Sequence, residues 1–215
     1  MRVVKWVVGP AAILALLWAG RRVLVASHVE EPAYRVLGEQ GGLELREYEP
    51  TIVAVTEVEG GFRESLEEGF RRLAGYIFGG NRPGEDISMT APVAMQRHPS
   101  EGEGERIAMT APVSARREGQ SWRITFVMPA EYTLETLPRP LDERVRLEPV
   151  PARKVAVLRF SGRATEEEAE ARMAELRERL SRQGLRATGE PVLAQYNPPW
   201  TPPFLRRNEI LVPVE

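Results

Sequence analysis

Cysteine is absent from the 215 residues, which removes disulfides, thiolate metal sites, a cysteine nucleophile and covalent c-type haem attachment. Histidine is almost as scarce. His28 and His98 are the only two, too few for a histidine metal centre and poor material for a Ser–His–Asp triad. Lysine is limited to Lys5 and Lys154, so arginine supplies nearly all the positive charge. There is also no excess of either sign: the formal charge is −2 and the pI about 5.9. A chain without a basic field lacks the electrostatic footprint of a nucleic-acid binder. No nucleophile–base pair is visible, so the expectation is a binding protein and not an enzyme. What is present, 42% apolar and 28% charged residues, suits a globular domain with a real core.

The N-terminus is different in kind. Trp6 to Gly20 is an uninterrupted run without charge, flanked by Arg2 and Lys5 before it and by Arg21 and Arg22 after it. As a helix it spans about 22 Å, short of the roughly 30 Å hydrocarbon core. Val23 to Ala26 extend the run if Arg21 and Arg22 snorkel, giving a membrane anchor. The alternative is a signal peptide cleaved near Ala26, although two arginines before the cleavage point disfavour processing. The division is therefore residues 1–26 as anchor or signal peptide, 27–33 as a polar linker, and 34–215 as the folded domain. The domain is expected to be membrane-anchored and extracytoplasmic.

Beyond Tyr34 the periodicity alternates between strand and helix. Leu43–Tyr48 and Thr51–Val58 read as strands. An apolar stripe at Phe62, Leu66, Phe70, Leu73 and Ile77 follows, ended by Gly79-Gly80-Asn81 and Pro83. Further strands are expected over Ile87–Met95, Arg106–Val113, Trp122–Met128, Val145–Pro149 and Val155–Phe160, with Glu209–Val214 closing the chain. A second helix starts at a capping box, Thr165 with Glu168.

The second strand–glycine–helix unit echoes the first. Val53-Ala54-Val55 recurs as Val155-Ala156-Val157, 102 residues on, and Leu66, Phe70, Leu73 and Ile77 map 103 residues on to Ala169, Met173, Leu176 and Leu180. This is a signature of internal duplication. With antiparallel strands, short polar loops and no βαβ spacing, it predicts an α+β fold: a pseudo-two-fold duplicated domain of strands with two main α-helices.

The most distinctive local feature occurs almost twice: Ser88-Met89-Thr90-Ala91-Pro92-Val93 and Ala108-Met109-Thr110-Ala111-Pro112-Val113. It contains no acid, base or metal cluster. Core and bend geometry accounts for it; methionines lining a cavity is the other reading. With Phe126-Val127-Met128-Pro129, Tyr132-Thr133-Leu134, Tyr196-Asn197-Pro198-Pro199-Trp200 and Arg206-Arg207-Asn208-Glu209-Ile210, these blocks resemble the SOUL haem-binding family over Ala33 to Glu215.

That resemblance implies a twisted, antiparallel, barrel-like β-sheet flanked by the two helices, and non-covalent binding of haem or a related porphyrin in an apolar groove between the first helix and the C-terminal loop. The residues that would line it here are Leu66, Phe70, Leu73, Ala74, Tyr76 and Ile77, then Pro198, Pro199, Trp200 and Phe204. Arg71, Arg72 and Arg206 are candidate partners for the propionates. Read without the resemblance, the stripe packs on the sheet and the arginines are solvated. Asn208-Glu209 likewise reads as a turn into the last strand with a structural salt bridge. No axial iron ligand is assigned: His98 lies in a polar loop, His28 lies beside the apolar run, and Met89, Met109 and Tyr76 have no further support. The rival ligand is another lipophilic small molecule, bound without catalysis.

Overall fold

The computed structural model describes residues 29–82 and 104–215. The apolar N-terminal run, His28, His98, Glu85, Asp86 and the first Met-Thr-Ala-Pro-Val block lie outside these, as does the strand expected over Ile87–Met95. Among the described residues no helix is long and apolar enough to cross a membrane.

Eleven strands and two helices follow in the order β1 (Tyr34–Gln40), β2 (Leu43–Tyr48), β3 (Thr51–Glu59), α1 (Phe62–Ile77), β4 (Asn81–Arg82), β5 (Val113–Glu118), β6 (Ser121–Val127), β7 (Arg139–Pro140), β8 (Arg146–Val150), β9 (Arg153–Phe160), α2 (Glu166–Arg182), β10 (Val192–Gln195) and β11 (Asn208–Pro213). Nine of the strands form one curled antiparallel sheet in the order β1-β2-β9-β11-β10-β5-β6-β3-β8, and β4 pairs with β7. The α+β barrel-like architecture with two helices is as the sequence predicts.

The duplication is visible in the sheet. From β2 to β8 the order reads the same from either end, with β10 and β5 meeting at the centre. Each half also lends a strand to the other: β2 pairs with β9, and β8 pairs with β3. The registers match under the same offset of 102, since Tyr48 faces Arg153 in one pair while Val150 faces Thr51 in the other.

One apolar cluster lies under each helix. Ala54, Leu73, Tyr76, Ile77, Ile124 and Phe126 belong to the first, and Ala156, Leu158, Leu176, Leu193 and Ile210 to the second. Phe62 touches both. The cap of α2 is half of the expected box: Thr165 Oγ1 accepts from the Glu168 amide at 3.3 Å, but the Glu168 carboxylate turns instead to Arg172 at 2.8 Å. At the end of α1, Gly80 donates to the Gly75 carbonyl at 2.8 Å, and a Cβ at Gly80 would lie 2.6 Å from that oxygen. The buried Asn81 then clamps the helix end, donating to Tyr76 O at 2.7 Å and Glu105 O at 2.8 Å.

The strand expected over Arg106–Val113 is a correction. Only Val113 belongs to a strand, and the rest makes isolated bridges to Phe78 and Glu30. Its amides find single partners one at a time, Ile107 donating to Ile77 O and Ala111 to Glu30 O. Pro112 has no amide to donate, so no ladder forms through it.

Two glycines of α1 make opposite predictions. A Cβ on Gly69 would sit 2.7 Å from Cγ1 of the fully buried Ile124, whereas one on Gly75 would meet nothing within 4 Å. Gly75→Ala should therefore stabilise the domain by about 0.5–1 kcal/mol. Gly69→Ala should destabilise it by about 1–3 kcal/mol despite the better helix propensity. Chemical denaturation of the two variants decides it; a stabilised Gly69→Ala would sink the close-packing argument.

Candidate functional site

The helix flank comes first. With 3.6 residues per turn, α1 buries a face centred on Gly69 and Leu73 and leaves two unlike margins. Leu73, Tyr76 and Ile77 lie inside the core, and the Tyr76 hydroxyl donates to Pro138 O at 2.9 Å. Phe70, Leu66 and Ala74 occupy the margin nearer β6: Phe70 is 39% exposed and stands edge-on to Phe126, with ring centroids 5.4 Å apart. The other margin faces β3. There Arg72 donates to Glu68 at 2.8 Å and to Glu57 O at 3.1 Å, and Arg71 also pairs with Glu68. Arg71 and Arg72 are thus carried away from Phe70. Phe78, the C-cap residue, is exposed.

The loop after β10 carries the remaining candidates. Pro198 and Pro199 are exposed, Trp200 is 83% exposed and Phe204 75%. The backbone beneath them is held in place. Thr201 donates to Pro198 O, Gly162 donates to Pro203 O, and the Arg207 amide donates to Asn197 Oδ1 at 2.6 Å. Arg206 is spent inside the loop, on Thr201 O at 2.8 Å and on Pro199 O. Register relates loop and helix: Phe70 rests on Phe126, Phe126 faces Val113, and Val113 faces Gln195, where β10 gives way to the loop. Two strand spacings, about 10 Å, separate Phe126 from that point. The loop that carries Trp200 and Phe204 thus begins two strands away from the residue under Phe70, while Leu73, Tyr76 and Ile77 lie in the core.

Candidate axial ligands are few. Met109 is 41% exposed, Met128 is buried, and Tyr76 is buried and already hydrogen-bonded. Among the described residues no three His, Cys, Asp or Glu side chains sit together to hold a metal ion.

The face of the sheet away from the helices carries the structural salt bridge expected at Glu209, with partners and a cleft that the sequence did not reveal. Strand alternation turns Arg46, Tyr48, Val155, Val157, Glu209 and Leu211 to this side. Glu209 is completely buried and accepts from Arg46 Nη1 at 2.9 Å, Arg46 Nη2 at 3.1 Å, the Tyr196 hydroxyl at 2.7 Å and Arg207 Nε at 2.9 Å. Burial alone would raise its carboxyl, but the Arg46 and Tyr196 hydrogen bonds and the Arg207 charge outweigh it and hold the group below the ordinary carboxylate value. Burial and the neighbouring Glu209 push the Tyr196 hydroxyl far up. Asn208 donates to Gly162 O at 3.1 Å, tying the turn to the second strand–helix junction. A cleft of about 310 Å³ adjoins this network, walled by Val53, Val127, Val155, Val192 and Leu211, with Arg153 and Tyr48 at one side. A second cavity, about 470 Å³, lies on the helix side between Phe62, Trp122, Met173 and Leu193. Neither is lined by the helix and loop candidates. Phe70, Trp200 and Phe204 are each exposed.

The SOUL heme-binding protein family matches residues 29–213. Heme-binding protein 1 of Xenopus laevis is 28% identical over 176 residues, covering 80% of this chain and 85% of that protein. Heme-binding protein 1 of Sus scrofa is 29% identical over 149 residues, covering 68% of this chain and 70% of its own length. Among solved structures, the EcmrR C-terminal domain superposes with a TM-score of 0.55 at 11% identity, over 85% of this chain and 98% of that one. At that identity the likeness establishes the fold alone. A match that spans the whole described domain, on the fold the duplication predicts, places this chain in the SOUL heme-binding protein family.

Proposed function

We propose that the chain binds haem or a related tetrapyrrole non-covalently on the open apolar surface between α1 and the loop after β10, and that residues 6–26 tether it to a membrane. The observation that carries this reading is the exposure of Trp200 and Phe204 on a hydrogen-bonded loop, together with the exposure of Phe70 on α1. Aromatic side chains of this size each offer roughly 150–250 Å² of apolar area, and a folded domain seldom leaves several on one rim without a partner. The surface suits a flat macrocycle. Phe70, Leu66 and Ala74 supply one wall, Pro198, Pro199, Trp200 and Phe204 the other, and Arg206 is a cation on the same loop. To meet a propionate, Arg206 exchanges its two carbonyl partners for a carboxylate, a stronger acceptor. Leu73, Tyr76 and Ile77 fix the helix from inside, and Arg71 and Arg72 brace its far flank through Glu68. Bound iron would supply redox and ligand-binding chemistry; these residues bind the macrocycle, orient it and exclude water from one face.

Affinity on this reading comes from the macrocycle and not from an axial bond. Metal-free protoporphyrin should bind the full chain, in a non-ionic detergent, within about threefold of haemin, as read by Trp fluorescence quenching. A loss of more than about thirtyfold for the metal-free compound would instead require a strong iron ligand, and would overturn the unligated mode. Extraction of the expressed chain from membranes with alkaline carbonate tests the tether: a fully released chain would remove it.

A further inference from the structure

Arg153 has no structural partner that explains its burial. It opens β9 beside Tyr48 on the helix-free face, and its Nη1 is buried without a hydrogen-bond partner among the described residues. The Tyr48 ring centroid lies 6.0 Å from its Cζ, at the outer limit of a cation–π contact and little compensation for lost water. The other charges lining the cleft are matched. Arg123 pairs with Glu148 and with Glu57, Arg116 with Glu118, and Glu190 with Arg177 at 3.3 Å. One uncompensated positive charge therefore faces the 310 Å³ space.

The duplication argues against a purely structural role. The residue equivalent to Arg153 is Thr51, 102 positions earlier, which lines the same cleft and has the mirrored register against Val150. One half of the domain thus builds this position with a neutral hydroxyl. The other half places a half-buried arginine there, and its buried Nη1 meets no acceptor among the described residues.

We propose that the helix-free cleft is a second ligand site, which takes a small amphipathic anion: a monocarboxylic acid with a mono- or bicyclic apolar body. The carboxylate accepts from Arg153 Nη1, and the body lies against Val53, Val127, Val155 and Leu211. Thr125 and Ser114 offer hydroxyls along the same wall. The volume sits at the small end of the roughly 300–1,000 Å³ usual for ligand pockets, too small for a tetrapyrrole. The site lies across the sheet from the surface assigned to haem and does not rest on that reading.

The test uses the full chain in a non-ionic detergent, titrated calorimetrically with 1-naphthoate and with its neutral counterpart 1-naphthamide. Naphthoate should bind at least about tenfold more tightly, the order expected of one charge-assisted hydrogen bond in a dry site. Arg153→Met should abolish that preference while leaving the haemin titration unchanged. Its thermal midpoint should stay level or rise, because the orphaned N–H is gone. Thr125→Phe, which fills the cleft without touching Arg153, should abolish binding of both naphthalenes and covers the case in which Arg153→Met fails to fold. Equal binding of the two naphthalenes, no binding of either, or a preference that survives Arg153→Met would overturn the proposal. So would stoichiometric displacement of naphthoate by haemin, which would make the two sites one. A failure of haemin to bind leaves the naphthoate result intact.

Discussion

Glu209→Ala should cost the domain about 3–5 kcal/mol, the largest loss expected of any single substitution here. The carboxylate is fully buried and meets Arg46, itself 2% exposed, through two hydrogen bonds of 2.9 and 3.1 Å. Removing it leaves the buried Arg46 and the largely buried Arg207 without their shared carboxylate, keeping Glu44, Tyr48 and Glu31 and the faces of Tyr34 and Tyr196 as partners. The cost is that of stranded charge more than of a lost attraction, so Arg46→Met combined with Glu209→Met should cost less than the two single changes added together. The network also joins parts that the duplication separates: Arg46 sits on β2, the strand lent to the other half, and Glu209 on β11 of that half.

The pH dependence follows from the sign of the shift. The folded carboxyl is held below its ordinary value of 4.5. Its contribution is therefore complete above the unfolded value and disappears as pH falls through the folded one. Urea midpoints of the native chain should be flat from neutrality to about pH 5 and then fall, and Glu209→Gln should lack part of that fall. A Glu209→Ala variant within 1 kcal/mol of the native chain would mean that water reaches the network.

Helix ends, most strand positions and the doubled architecture were legible because they leave periodic marks. Phe62 to Ile77 shows its stripe and its Gly-Gly-Asn stop, and the element ends at those residues. The strands that escaped are those with little to mark them. β5 is Val113-Ser114-Ala115-Arg116-Arg117-Glu118, in which Ala115 is the one fully buried side chain, and β10 has four residues. Periodicity also reports a strand's faces but not its neighbours. The exchange of β2 and β8 between halves was therefore hidden until the pairings were known, although the constant offset of 102 is its trace. The site was legible as a set of residue types and less so as an arrangement. Arg71 and Arg72 sit next to Phe70 in the chain, yet the helix turns Arg72 to β3 and leaves Arg71 paired with Glu68. Arg153, beside Lys154, looks like part of a solvated basic pair; only the fold reveals that one of its nitrogens is buried and alone.

Haemin affinity should fall by about thirtyfold to a hundredfold in a Phe70→Ala, Trp200→Ala double variant, with Trp200→Ala alone supplying most of the loss. Trp200 is the most exposed large apolar residue among those described and makes no side-chain hydrogen bond there, so truncating it should change stability by less than about 0.5 kcal/mol. Any loss of affinity is then a loss of ligand contact and not of fold. Phe70 is different, since its edge-to-face contact with Phe126 contributes about 0.5–1.5 kcal/mol to the domain itself. Its single variant must be read against a melting curve. The two positions lie on separate elements, one on α1 and one on the loop after β10, and a rigid macrocycle spanning both would couple them. A double-mutant cycle on haemin affinity should therefore depart from additivity by about 0.5 kcal/mol or more. Additive losses would place the two aromatics on separate ligands or on no common one. Unchanged affinity in the double variant would move haem off this surface altogether, with the half-open helix-side cavity beside Phe62, Trp122 and Met173 as the next place to test.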